Sequence, residues 1–301
     1  MSLEQELYEE RRRKLRRTSF FRGILAASIF FSLAGILWKG DWFASPHIAS
    51  FEVSGEIFDD VNRDSIFREI SENENVYGLL VRINSPGGSV VGAEGIYKGL
   101  REVGEKKPVV ITIGEIGASA AYIAALAGDR IFARENSLIG SIGVVIQYPD
   151  ISRLAERLGV SVEIVKSGKL KGEPNILKGM DKQVRKANEI LVNDSFNWFK
   201  KLVVERRNID TQLLNEISDG RLFTGRMAAK LGLIDEIGSK KEAMEYLQSR
   251  DSKLVNIPIK SWNIENTSTS IWGSIFGLSE NSGILRKLYT RVSPTLFSVA
   301  G

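Results

Sequence analysis

The sequence predicts an α/β fold with a mostly parallel sheet, preceded by an N-terminal transmembrane helix. Three observations carry this expectation. Short, nearly continuous apolar runs at 76–83 (VYGLLVRI) and 109–113 (VVITI) read as strands buried on both faces. Helical stretches alternate with such runs, the pattern of parallel strands joined by crossover helices. A charge-free apolar run at 23–38 follows directly on a basic cluster.

The N-terminus comes first. Residues 1–22 hold seven of the 41 Lys/Arg and four of the 37 Asp/Glu, so the net charge of +4 is largely local. The remainder is close to neutral, which argues against a nucleic-acid partner. A composition of 43% apolar and 26% charged residues excludes a disordered polyelectrolyte and a multi-span membrane protein. As a helix, 23–38 spans about 24 Å; counted from Phe20, with Arg22 snorkelling, it reaches about 28 Å against a ~30 Å hydrocarbon core. Trp38 and Trp42 suit the far interface and the basic cluster suits the cytoplasmic side. A cleavable signal peptide fits less well, because the apolar run continues past the weak site Ser32-Leu33-Ala34. A buried core helix fits less well, because the run is apolar on every face and flanked by charge. The expectation is therefore a cytoplasmic tail (1–22), an uncleaved single-span anchor in the lipid bilayer (23–38) and a body outside the cytoplasm.

Along the body, 47–57 alternates apolar and polar residues as a first strand, 62–71 reads as a helix, and 76–83 is the next strand. A turn at 84–89 (NSPGGS) leads into a helix reaching about Val103, and the strand 109–113 follows Pro108. Residues 117–121 (GASAA) open an Ala-rich helix. Strands are expected at 130–133, 141–146 and 160–165, with helices at 151–158, 181–207, 227–231 and 240–250. The body thus runs over 47–250, and 251–301 is a polar tail with two aromatic patches and no assigned structure.

The residue census restricts the chemistry. With no cysteine there is no thiolate nucleophile, disulfide or thiolate metal site, and with one histidine, His47, there is no His-rich metal site. Neither metal nor cofactor is expected. A nucleophilic mechanism would pair Ser or Thr with lysine, since His47 reads as a linker or first-strand residue. Ser119 lies between a buried strand and a helix start, among small residues that let a substrate backbone approach; it also reads as a capping serine in close helix packing. Gly87-Gly88 leaves backbone N–H groups unobstructed by Cβ, for an oxyanion, a phosphate or a plain tight turn. The segment 166–172 (KSGKLKG) offers lysines that are solvated charges or, if one is buried and neutral, a base.

Four motifs in order resemble the signal peptide peptidase SppA (protease IV) family of serine peptidases. They are 81–89 (VRINSPGGS), 117–122 (GASAAY), 137–144 (SLIGSIGV) and 219–238 (DGRLFTGRMAAKLGLIDEIG), with Lys171 placed 52 residues after Ser119. The resemblance implies a ClpP/crotonase-like fold of repeated β-β-α units. It implies Ser119 as nucleophile, Lys171 as general base, Ser141 hydrogen-bonding the amine, and the Gly88 and Ala120 N–H groups as oxyanion hole. It gives 219–226 a structural part, shaping the fold and subunit contacts. Family members often carry glycines where this chain has Ala120-Ala121, and an acidic residue where it has Gly172. The expected activity is hydrolysis of cleaved signal peptides at the bacterial inner membrane, by a homo-oligomeric ring. The competing readings are a crotonase-type acyl-CoA enzyme, for which no CoA-phosphate site is evident, and a non-catalytic membrane-tethered scaffold that binds peptides.

Overall fold

The computed structural model describes residues 22–32 and 45–263. The chain divides into two units, Met1–Ser45 and Pro46–Gly301. In the first, residues 22–32 form helix α1, exposed along its length. Part of the expected span, 33–38, and the tail before Arg22 lie outside the described residues. Among the described residues no helix is long and apolar enough to cross a membrane.

The second unit runs β1 (His47–Ile57), α2 (Val61–Glu72), β2 (Val76–Gly88), α3 (Val90–Gly104), β3 (Val109–Ala118), α4 (Ala120–Ala125), β4 (Arg130–Ala133) and β5 (Leu138–Gly140). It continues with α5 (Ser152–Arg157), α6 (Lys182–Arg207), α7 (Thr211–Ile217), β6 (Leu222–Thr224), α8 (Gly225–Lys230), β7 (Glu236–Ile237), α9 (Lys240–Arg250) and β8 (Ile259–Ser261). The sheet is ordered β6-β5-β3-β2-β1-β8, with a side branch in which β4 pairs with β3 and β7. Every pairing is parallel except β5 with β6.

The apolar runs are explained by burial on both faces. Leu79, Val81 and Ile83 of β2, with Val109, Ile111 and Ile113 of β3, pack on Phe67 and Ile70 of α2, Ile96 and Leu100 of α3, and Phe199 and Val203 of α6. The intervening Leu80 and Val110 face the opposite way, onto Ala243 and Leu247 of α9 with Ile48, Phe132 and Leu254. Period-two alternation with both faces covered yields the near-continuous hydrophobicity read from sequence.

β3 is long enough to serve two neighbours in succession. Its first half pairs with β4 through Val110–Ile113, and its second with β5 through Ile116–Ala118. The change of partner occurs at Gly114-Glu115, and two side chains hold it. Asn84 Oδ1 accepts the N–H groups of Glu115 (2.8 Å) and Ile116 (3.3 Å), while the Ser137 hydroxyl donates to the Gly114 carbonyl at 2.5 Å.

Three expectations need correction. The 84–89 segment is not a free turn: β2 continues to Gly88, still paired with β1 through Glu56↔Gly87 and Ile57↔Gly88 after a register shift. The segments 141–146 and 160–165 are not strands, since neither lies along another strand, and backbone hydrogen bonding needs that partner. The first part of the tail is ordered: β8 pairs with the outer edge of β1, and the Trp262 ring stacks on His47 and donates Nε1–H to its Nε2 at 3.1 Å. The remaining 264–301 lies outside the described residues.

Helix α9, which covers the second face, starts on a reciprocal cap. The Ser239 hydroxyl accepts from the Lys241 N–H, and Glu242 accepts from the Ser239 N–H and hydroxyl, each at 2.7 Å. These hydrogen bonds depress the Glu242 carboxyl from 4.5 to about 2. A depressed carboxyl adds stability above its unfolded value and loses it as pH falls through the folded one. Glu242→Gln should therefore destabilise the protein above pH 4.5, with the difference from wild type shrinking toward pH 2 in urea-unfolding series.

Candidate active site

The parallel strands deliver their C-terminal ends to one place, the usual position for a site in such sheets. There the pairs Ile57↔Gly88, Ser85↔Gly117 and Ala118↔Gly140 bring together the ends of β1, β2, β3 and β5. The approach is too close for side chains. A Cβ on Gly87, at φ +123°, would sit 2.9 Å from Ser119 Cβ and 3.1 Å from the Ala118 carbonyl. One on Gly88 would sit 2.1 Å from the Ile57 carbonyl oxygen. The glycine pair is thus pressed between the end of β1 and the 118–120 turn. The Ser85 hydroxyl, fully buried, accepts the Gly87 N–H at 3.1 Å and fixes the bend from within.

Ser119 occupies that turn with φ 52° and ψ −122°, a conformation outside the wells of ordinary L residues that costs of order 1–3 kcal/mol. Its N–H donates to the Gly140 carbonyl at 2.8 Å, and its carbonyl accepts from Tyr122 and Ile123, so both flanks hold the strain. The hydroxyl makes no capping bond to α4, which removes the reading of Ser119 as a capping serine. Ser89 caps α3 instead, accepting the Gly92 N–H at 3.0 Å. Ser119 is half-buried, and the N–H of Ala120 belongs to the first turn of α4, where intrahelical acceptors are lacking.

Ser141 is built the same way at the end of β5. It has φ 50°, and its N–H donates to the Arg221 carbonyl at 2.9 Å. Arg221 is steadied by Asp219, whose carboxylate takes its Nε–H at 2.8 Å and is held below the usual range by that bond.

Helix α4 is tied down by cations at its far end and by a phenol from its own first turn. Arg206 donates to the carbonyls of Leu126 (2.8 Å) and Gly128 (3.0 Å), and Arg101 to that of Ala127 (3.3 Å). Guanidinium groups at a helix C-terminus satisfy its free carbonyls and oppose its dipole. Tyr122, wholly buried, donates to the Leu233 carbonyl at 2.7 Å, and burial pushes its hydroxyl pKa up. The motif 231–238 therefore acts as an anchor: Asp235 accepts the Ile131 N–H at 2.7 Å and pairs with Arg207.

A cavity of about 740 Å³ opens over this floor, lined by Gly87, Gly88, Ser119 and Ser141 together with Glu56, Gly143, Val144, Val192, Phe196, Asp219 and Gly220. A smaller apolar recess of about 210 Å³ adjoins it, sharing Gly88 and Ser119 and adding Ala120, Ile123 and Leu191. Of the residues expected at the site, Ser119, Ser141 and Gly88 share the cavity and Ala120 reaches the recess. Lys171 does not line either. It is exposed beside a 168–171 turn, in a loop closed by an ion pair between Lys166 and Glu173. Among the described residues no cluster of His, Asp or Glu is arranged to hold a metal ion.

Sequence reasoning missed several lining residues. Val192 and Phe196 fall on one face of α6 at helical spacing, a signal that was present in the sequence. Asp219 and Gly220 were assigned to fold and subunit contacts, yet they form a wall of the cavity. Only the antiparallel pairing of β5 with β6 carries them there.

A serine strained into a strand-to-helix turn, at the floor of a largely apolar cavity beside a glycine pair and a helix N-terminus, is the arrangement of a serine hydrolase. Comparison with known proteins narrows the class. Residues 101–254 match the profile of Peptidase family S49. A protein of Methanocaldococcus jannaschii named as a protease is 29% identical over 88% of this chain and 86% of its own length. One from Synechocystis, also named as a protease, is 33% identical over 70% of this chain and 76% of its own. A protein of Enterococcus faecium named as signal peptide peptidase SppA is 31% identical over 68% of this chain and 60% of its own. The chain belongs to peptidase family S49 and is a serine-type peptidase of the SppA kind.

The glycine floor is testable. Gly87→Ala places a Cβ against Ser119 and the Ala118 carbonyl at a strained φ. A displacement of the reacting groups by about 1 Å costs on the order of a hundredfold in rate. Peptide cleavage should fall by that order while circular dichroism reports an intact fold.

Proposed function

We propose that this protein is a membrane-anchored serine endopeptidase that hydrolyses cleaved signal peptides, with Ser119 as nucleophile and Lys171 as general base. Ser119 Oγ attacks the peptide carbonyl and Lys171 takes its proton. Lys171 returns the proton to the leaving amine, and water releases the acyl group. The Gly88 and Ala120 N–H groups hold the oxyanion and Ser141 orients the lysine amine. The observation that carries the reading is Ser119 itself: strained, uncapped and facing a cavity with a glycine floor. The largely apolar lining suits the apolar core of a signal peptide. The α/β layout with a parallel-dominated sheet is consistent with a ClpP/crotonase-like fold. The basic cluster before the apolar segment supports a bacterial inner-membrane protein with a cytoplasmic N-terminus and an extracytoplasmic body.

The position of Lys171 bears on assembly. From 143 to 183 no residue is buried, although the segment includes Leu154, Leu158, Val160, Val162 and Val165, the last 95% exposed. Exposed apolar surface of this extent in a peptidase body supports a homo-oligomeric ring in which this segment is covered and Lys171 meets a serine.

Two outcomes are expected. Full-length Ser119→Ala and Lys171→Ala should each lose at least about a hundredfold in cleavage of a quenched fluorescent signal peptide. If the dyad closes between copies, mixing the two inactive variants under conditions that exchange subunits restores part of the activity. Equal, unchanged rates in all three proteins overturn the dyad. Because a lysine base must be neutral, kcat/KM should rise with pH through a single group and level off on the alkaline side; a flat profile over roughly pH 6–10 with chemistry rate-limiting argues against it.

A further inference from the structure

Arg63 is a buried cation without a full set of partners. It sits in the first turn of α2, 7% exposed. Its guanidinium donates to two backbone carbonyls on separate elements: Nη1 to Phe58 at 3.0 Å and Nη2 to Gly92 at 3.3 Å. Its Nε makes no hydrogen bond: Asp64 Oδ1 pairs with it only at ion-pair distance, 3.8 Å, and is itself buried without a hydrogen bond. A buried guanidinium held by two carbonyls and one long ion pair, with its Nε–H unbonded, is costly for stability, and helix packing alone would be served better by an apolar side chain.

The location accounts for it. Phe58 is the first residue beyond β1, and Gly92 lies in the first turn of α3. Between those two points stands the Gly88-Ser89 peptide, with the Ser89 N–H donating to the Ile57 carbonyl at 2.8 Å. The contact is tight over its whole length: a Cβ on Gly92 would lie 2.5 Å from the Phe58 carbonyl carbon, and one on Gly88 2.1 Å from the Ile57 oxygen. Gly95 leaves room for the Arg63–Asp64 pair, since a Cβ there would come within 3.5 Å of Arg63 Nη2. Arg63 is thus the side-chain bolt across a seam that otherwise consists of backbone against backbone.

We infer that Arg63 is a positioning residue for the oxyanion-binding turn: by joining the Phe58 and Gly92 carbonyls it fixes the end of β1 against the start of α3 and so sets the direction of the Gly88 N–H. The inference rests on the peptidase reading above, in which that N–H faces the developing oxyanion. Arg63 touches no substrate. Its effect belongs to the transition state, because the oxyanion exists only there, and not to ground-state peptide binding.

The test uses full-length protein in detergent, with Arg63→Met and Arg63→Lys. Three quantities are measured: kcat and KM on the quenched signal peptide, Ki for a peptide aldehyde, and Ki for the cleaved product peptide. The aldehyde adds to Ser119 as a hemiacetal whose oxygen occupies the oxyanion position, whereas the product does not. Arg63→Met should lower kcat by about tenfold or more and weaken the aldehyde by a comparable factor, leaving KM and the product Ki within about twofold. Arg63→Lys, which restores one or two donors, should recover part of both losses. The inference is overturned if kcat per folded molecule and aldehyde affinity are unchanged while only Tm falls, or if product affinity falls in step with aldehyde affinity. Should the methionine variant not fold, the lysine variant decides by the same split. An inert wild type overturns the peptidase reading itself and is told apart from a failure of the Arg63 inference by that control.

Discussion

Everything at the site depends on how closely three backbones approach one another where β1, β2 and β3 end. Gly87 lies against the Ser119 turn and Gly88 against Ile57, at separations that exclude any Cβ. Strand pairing supplies the approach, because Ile57 and Gly88 are partners in the β1–β2 ladder and Ser85 and Gly117 in the β2–β3 ladder. The amide groups of the turn therefore stand beside the serine as a consequence of sheet register. Moving any one strand end moves the floor of the cavity.

A strained turn needs a rigid surround. The unfavourable φ of Ser119 and Ser141 persists because each N–H is bonded to a carbonyl of a neighbouring element, Gly140 for one and Arg221 for the other. Behind Ser119 the short helix α4 is wholly buried, capped at its far end by Arg101 and Arg206 and tied through its own Tyr122 to the Leu233 carbonyl. Those partners come from α3, α6 and the 231–238 motif, so residues remote in sequence hold Ser119 in one orientation. The C-terminal motif shared with the SppA family thus serves the site twice, lining the cavity with Asp219 and Gly220 and anchoring α4 through Leu233.

The body combines a dense core with an uncovered flank. β2 and β3 are buried on both sides over Leu79–Val81 and Val109–Ile111, whereas 143–183 and the first half of α6 expose Val, Leu and Ile side chains. The cavity lies at the boundary between the two, with Val144 from the uncovered segment and Val192 and Phe196 from α6 in its wall. A substrate or a second copy that covers this flank would complete the enclosure and exclude water from the serine.

Much of this was legible in the sequence, and the reasons are local. The runs at 76–83 and 109–113 betray strands because a short, nearly continuous apolar run suits a strand covered on both faces. Ser119 and Gly87-Gly88 betray a close-packed turn because small residues cluster there, and the absence of cysteine with a single histidine leaves lysine as the base to consider. What the sequence could not decide is where distant segments meet. Residues 160–165 have the composition of a strand but no neighbour along which to pair, and 84–88, composed like a turn, is drawn into the β1 ladder. Asp219 becomes a cavity wall only through the β5–β6 pairing, and Arg63, one of 41 basic residues, stands out only once its guanidinium is found between Phe58 and Gly92. Propensity and periodicity are properties of a residue and its near neighbours and can be read from the chain; register, strand partners and the burial of a charge depend on segments far apart in sequence, and tertiary packing alone decides them.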